Sequence, residues 1–313
     1  MRFEDSRRNL REGFLEKLRN SIKITGNTQI VGLFGDPVKH TLSPSMHNAA
    51  FRHLGIDYAY LPFHVREQDL GAALKGIADM GLKGVNLTIP HKVNALKYVK
   101  SLCGEADVIG AINTVAVRNK KLFGYNTDGK GFISSLKDDC CFDPKKKNVL
   151  ILGAGGAARA IAVQLAFYGA EKITIANRVL DFHLARRLAG DIRRKPGVKV
   201  KCVLLDEETL IKNARTVQLL VNATSVGLHP GDRLPLTSRF FDNAQSLGMV
   251  YDLIYNPPRT KLLRLAGSYG LKTSNGLGML LYQGALAFEI WTGKKAPIHI
   301  MRKALTDAIK NRG

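Results

Sequence analysis

From Thr28 onward the chain alternates short apolar runs with amphipathic stretches: IVGLFG, SPSMHNAAFRHLG, YAYLPFHV, LGAALKGIADMG and KGVNLTIP follow one another. A brief apolar run bounded by turn residues reads as a buried strand, and apolar residues at helical spacing read as a helix packed by one face. The order is therefore strand, helix, strand, helix, strand. Ser43 followed by Pro44 predicts an N-cap with proline at the first helical position. Helices between strands imply right-handed crossovers and a mostly parallel sheet, with ligand groups collecting at the carboxyl ends of the strands.

A second alternation opens at Lys147 with NVLILGAGGAARAIAVQLAFYGA and continues through KITIANR, KVKCVLL, QLLVNATSVG and GMVYDLIYNPP. The polar stretch CCFDPKKK before it marks a boundary zone, reached through a helix over DGKGFISSLK. After Gly276 the run MLLYQGALAFEIW predicts a long helix that returns to the first part of the chain. The expected organisation is an extension at 1–28, a first α/β domain from 29–130 plus 276–313, and a second from 131–275, with a cleft between the two domains. Within the extension, Phe14, Leu15, Leu18 and Ile22 stand at helical spacing and predict one amphipathic helix.

The 313 residues, 45% of them apolar, suffice for two buried cores. With 47 Lys and Arg against 26 Asp and Glu, the formal charge of +21 attracts nucleic acids, acidic membranes and anionic metabolites alike. The basic residues are scattered, as at Lys145 to Lys147, Arg186, Arg187 and Arg193 to Lys195, without interleaved aromatics or a nucleic-acid-binding motif. A solvated basic surface is the expectation, with no nucleic-acid partner. No apolar run approaches the roughly 20 residues that cross a bilayer, and the opening MRFEDSRRNLREGF lacks a cleavable signal pattern. A cytoplasmic protein with no membrane partner is expected. Cys103, Cys140, Cys141 and Cys202 show neither CxxC spacing nor a metal-ligand cadence, so no metal is expected.

Gly153, Gly155 and Ala158 form G-x-G-x-x-A directly after the strand VLIL and at the opening of a helix, the context that gives the pattern meaning. The first glycine permits a tight turn, and the second lets backbone N–H groups approach a pyrophosphate. The small alanine lets helix and strand pack closely. The loop Gly153, Ala154, Gly155, Gly156, Ala157 is thus the candidate phosphate cradle of a Rossmann-like domain. The next strand ends at Asn177 and Arg178, where NAD-specific proteins place a carboxylate. A guanidinium there suits the 2′-phosphate of NADP, while nearby Asp181 leaves NAD possible.

The stretches TLSPSMHNAAF, NLTIPHK, GAINT, GYNTDGKGF, GAGGAA, NATSVG, YDLIYNP and NGLGMLLYQGALAFEIWTG occur in the order seen in shikimate dehydrogenases, from about Gly32 to Gly293. The chain resembles that family. The resemblance implies NADPH-dependent, reversible reduction of 3-dehydroshikimate to shikimate by a monomer or homodimer. It implies that Thr41 and Ser43 hold the substrate carboxylate, with threonine where many members have serine. Asn86, Thr88, Lys92, Asn113, Asp128 and Gln283 would surround the ring hydroxyls. Tyr255, of the substrate-binding set, and the backbone at Gly276 would stand beside the nicotinamide, and Asn222 and Thr224 would line the cofactor side.

Ketone reduction needs hydride at carbon and positive charge or a proton at oxygen, and the pair Lys92 and Asp128 can supply the latter; which of the two transfers the proton stays open. His91 beside Lys92 is given no catalytic role. Val179 replaces a threonine common in the family and loses a hydroxyl that could bind phosphate, which leaves the quinate-using branch and NAD open. Two rival readings are a non-catalytic sensor of shikimate-like acids and another NADP-linked dehydrogenase of similar plan, such as a tetrahydrofolate enzyme. Retention of both Lys92 and Asp128 opposes the first, and the polar set at Asn86, Asn113 and Gln283 opposes the second.

Overall fold

A computed structural model of the chain describes residues 24–193, 198–229, 231–232 and 236–311. The helix expected around Phe14, Leu15, Leu18 and Ile22 lies outside the described residues.

The strands assemble into two six-stranded sheets. In the first, β1 (Gln29–Gly35) is flanked in parallel by β2 (Tyr58–His64) and β3 (Gly84–Leu87). The sheet continues from β3 through β5 (Thr114–Arg118) and β6 (Lys121–Tyr125) to β4 (Ser101–Cys103). The β3–β5 and β5–β6 pairs are antiparallel, so this sheet is mixed, with three of its five pairs parallel. The reversal comes from a tight hairpin in which Asn119 and Lys120 both take positive φ, 49° and 58°. Two left-handed residues in succession match the twist of the flanking strands.

The second sheet runs β9 (Lys199–Leu204), β8 (Lys172–Asn177), β7 (Asn148–Leu152), β10 (Leu219–Asn222), β11 (Met249–Asp252) and β12 (Lys272–Ser274). All its pairs are parallel. Outward progression from β7 in both directions is the dinucleotide-binding order, and it creates a switch point between β7 and β10 where the chain leaves the sheet on opposite sides.

Alternation along each strand divides the cores. On β7, Val149 and Ile151 face the cluster of Ile161, Leu165 and Leu188, while Leu150 and Leu152 face Phe240, Val250 and Leu262. On β1, Val31 and Leu33 point to one side and Phe34 to the other. The helix Leu277–Thr292 lies on the Val31 side and inserts Leu281, Ala285, Phe288 and Trp291 among Phe51 and Tyr60. Trp291 Nε1 donates to the Val115 carbonyl at 3.0 Å, which fixes that helix to the first sheet.

The expected Ser43 N-cap is corrected: the helix Ser43–His53 already includes Ser43, Leu42 occupies the capping position, and no side chain caps it. Proline at the next position keeps the first turn helical. The Ser43 N–H instead donates to Thr41 Oγ1 at 3.2 Å, so the preceding hydroxyl holds that orphan donor and the serine hydroxyl is not committed to the helix end.

Candidate functional site

Between the carboxyl ends of the two sheets lies a cavity of about 340 Å³. The loop after β1 brings Thr41 to it and the next helix brings Ser43; the end of β3 adds Asn86 and Thr88. Lys92 enters from the short helix His91–Asn94, Asn113 from the residue before β5, and Asp128 from the start of the helix Asp128–Ser134. Tyr255 and Gly276 follow the second sheet, and Gln283 projects from the helix Leu277–Thr292. Every residue of the expected substrate set thus lines this one cavity.

Lys92 Nζ donates to Asp128 Oδ2 at 2.6 Å, with the lysine side chain 20% exposed and the carboxylate 5%. The other carboxylate oxygen accepts from Asn113 Nδ2 at 2.8 Å. Asn113 also reaches Gln283 Oε1 at 3.2 Å, and its own oxygen receives the Thr127 N–H at 2.8 Å. Because buried polar groups are costly when unpaired, this web fixes the amide orientation of Asn113 and with it the carboxylate. The lysine tip is left as the accessible end of a braced ion pair, able to present positive charge to an oxygen in the cavity.

Asn86, buried on β3, gives Nδ2 to Thr114 Oγ1 at 2.9 Å and to the Asn113 carbonyl at 3.2 Å. Its oxygen accepts from Tyr60 O–H at 2.9 Å. Neither Tyr60 nor Thr114 was singled out in the sequence. An aromatic in the run YAYLPFHV reads as core, and only the parallel packing of β2, β1 and β3 carries its hydroxyl to Asn86.

On the other wall, Gly153 takes φ +101° and packs against Ala223 of the loop after β10, closing the switch point. Gly155 heads the helix Gly156–Tyr168 with φ −73°, and a Cβ built there would meet nothing within 4 Å. Neither backbone conformation nor packing among the described residues requires glycine at 155. The open space lies at the N-terminus of a helix of 13 residues, where N–H groups favour an anion. These residues fit a dinucleotide diphosphate. Ala154 is buried beneath the loop, and Ala157 reaches the cavity itself. Gly276 also lines the cavity, and any side chain there would run into the Leu253 carbonyl.

Arg178 sits exposed at the end of β8, its Nη2 2.5 Å from Asp181 Oδ2. Buried Asn177 donates to the Asp181 carbonyl at 2.8 Å and shapes the same turn. Asn222 is fully buried, donates to Asp252 Oδ1 and the Val226 carbonyl, and accepts from the Thr224 N–H and hydroxyl. With those contacts its side chain buttresses the loop after β10, and Thr224 is drawn into the same turn. Burial raises the Asp252 carboxyl above its ordinary range, opposed by hydrogen bonds from Thr260, the Ile254 N–H and Asn222. His91 is buried with Nε2 2.7 Å from the Val65 carbonyl, away from the cavity.

Two family models match the chain: the shikimate dehydrogenase substrate binding domain over residues 33–115 and the shikimate 5'-dehydrogenase C-terminal domain over 276–306. A shikimate dehydrogenase (NADP(+)) of Methanopyrus kandleri is 46% identical over 291 residues, covering 93% of this chain and 99% of that protein. Among solved structures, the shikimate 5-dehydrogenase of Listeria monocytogenes in complex with shikimate and NAD superposes with a TM-score of 0.83 at 39% identity, covering 91% of this chain and 99% of that one. The Thermus thermophilus enzyme in complex with NADP(H) and shikimate gives 0.78 at 37% identity, covering 90% and 100%.

Proposed function

The chain belongs to the shikimate dehydrogenase family, and on that premise we propose that it catalyses the reversible, NADPH-dependent reduction of 3-dehydroshikimate to shikimate, a step toward aromatic amino acids. The observation that carries the reading is the braced Lys92–Asp128 pair, 2.6 Å apart, in a cavity walled on one side by polar side chains and reached on the other by the glycine loop. A site that only bound the acid would have no use for such a pair.

Bound NADPH supplies the hydride. The Gly153–Ala157 loop would hold its diphosphate, Arg178 would meet its 2′-phosphate, and Tyr255 and the backbone at Gly276 would stand beside the nicotinamide. The Lys92 ammonium donates to the ketone oxygen and passes it a proton as negative charge develops there; in the oxidative direction the amine takes the proton back. Asp128, held by Asn113, keeps Lys92 aimed. Thr41 and Ser43 receive the substrate carboxylate, and Asn86, Thr88, Asn113 and Gln283 read the ring hydroxyls, each of which needs a partner once water is excluded. Closure of the cleft between the two sheets would exclude water from Lys92 and the polar wall around it.

The same reading divides the chain into 29–130 with 276–313 for substrate and 131–275 for the dinucleotide. It carries a small-molecule substrate, a cytoplasmic setting, a monomeric or homodimeric state, and no membrane or nucleic-acid partner. NAD use is the second reading, favoured by the carboxylate of Asp181 against Arg178.

Nicotinamide absorbance followed with shikimate and with quinate, each against NADP and NAD, tests it. Shikimate with NADP is expected to give the highest kcat/KM. Failure to oxidise either acid returns the sensor reading, and quinate with NAD in first place moves the chain to the quinate-using branch. Arg178→Ala is expected to raise KM for NADP and leave KM for NAD nearly unchanged.

A further inference from the structure

We infer that Tyr60 is a positioning residue for substrate recognition, orienting Asn86 through one buried phenolic hydroxyl. The inference rests on the role proposed above for Asn86.

Tyr60 is fully buried on β2 and its ring lies flat on that of His47, centroids 4.4 Å apart and planes 1° apart. His47 is itself enclosed by Phe51, Phe288 and Trp291. The ring is therefore clamped, and its hydroxyl points where the stack directs it. The Asn113 carbonyl only accepts, so the Asn86 atom beside it is Nδ2, and the atom facing Tyr60 is Oδ1. An amide oxygen cannot donate, so the Tyr60 proton lies on Asn86.

The result is a one-way sequence: Tyr60 O–H to Asn86, Asn86 N–H to Thr114, and Thr114 O–H to Asn113 Oδ1. Asn113 in turn holds Asp128. Tyr60 thus stands at the head of a hydrogen-bonded row that runs through Asn86 to the catalytic pair.

Tyr60→Phe removes the hydroxyl and retains the clamped ring. The expected result is a rise of about tenfold in KM and in the calorimetric Kd for shikimate, the loss of one buried hydrogen bond in the binding wall. kcat should change less than threefold and KM for NADP should stay at the parental value, while the melting temperature falls by the roughly 2–4 °C that one lost buried hydrogen bond costs. Shikimate KM within twofold of the parent, or shikimate and NADP KM rising together, would overturn the inference. Should the variant fail to fold, 3-fluorotyrosine at position 60 keeps the hydroxyl as a stronger donor. It is expected to tighten shikimate binding, and an unaltered Kd overturns the inference equally. A parent protein that neither binds nor oxidises shikimate removes the underlying assignment as well, whereas an active parent with an indifferent Tyr60→Phe removes only this one.

Discussion

Gly156 and Lys92 lie on helices that follow strands of different sheets and meet across the cleft: a Cβ added to Gly156 would lie 3.7 Å from the Cδ of Lys92. The stem of the lysine rests against the head of the helix that is assigned to the cofactor, while its tip is held by Asp128. Removing that tip takes away a charge whose value is greatest as the oxyanion forms. Lys92→Ala is expected to lower kcat about a thousandfold while shifting shikimate KM only a few-fold. Steady-state kinetics decide it, and turnover within a few-fold of the parent would remove Lys92 from the mechanism.

Gly155→Ala separates fold from cofactor binding. The residue has an ordinary φ and open space around it, so alanine meets no obstacle within the protein and restricts the unfolded chain, a gain of about 0.4–1 kcal/mol. The methyl group would instead occupy the path of the diphosphate. The expected variant melts at or above the parental temperature yet shows a KM for NADP raised at least tenfold. A normal NADP KM would place the dinucleotide elsewhere.

At the end of β8, Asp181 competes with any phosphate for the guanidinium of Arg178. The pair is exposed, so it contributes little to stability. Asp181→Asn is expected to lower KM for NADP two- to fivefold, consistent with roughly 0.2–1 kcal/mol for one exposed charge, and to leave NAD almost unaffected. The gain should shrink as ionic strength rises. Parallel changes for both nucleotides would show that the carboxylate does not bear on the phosphate.

His47 gives the fold a pH dependence. Burial among aromatic rings drops its pKa from 6.5 to about 3, and among the described residues neither ring nitrogen has a hydrogen-bond partner. The unfolded chain therefore binds a proton between those values that the folded chain refuses. The stabilisation is complete above pH 6.5 and declines as pH falls toward 3, by up to about 1.4 kcal/mol per pH unit. Urea unfolding at pH 5 and pH 7 should show this loss in the parent. His47→Phe, which cannot titrate, should show a smaller one; equal slopes would exclude His47 as its source.

Much of this site was legible from spacing. A glycine loop after an apolar strand announces a phosphate cradle, and the polar residues at strand ends announce a ligand, because a core has little use for them. Lys92 and Asp128 stand 36 residues apart, and their meeting could be expected from the family resemblance but not measured without coordinates. The bracing of the loop after β10 by Asn222 was not legible, because a motif does not show which hydrogen bonds a buried amide makes. The β5–β6 hairpin escaped notice because Asn119-Lys120 lacks the glycine that usually signals such a turn. Tyr60 was hidden for a different reason: its sequence neighbours describe the ring, and nothing local describes where the hydroxyl goes.

The helix Leu277–Thr292, tied to Val115 through Trp291, couples stretches of sequence that lie far apart. One face of the first sheet is completed by Leu281, Ala285, Phe288 and Trp291. Cutting the chain before Leu277 is therefore expected to strip that face of its cover, while the second sheet keeps Ile161, Leu165 and Leu188 as its own.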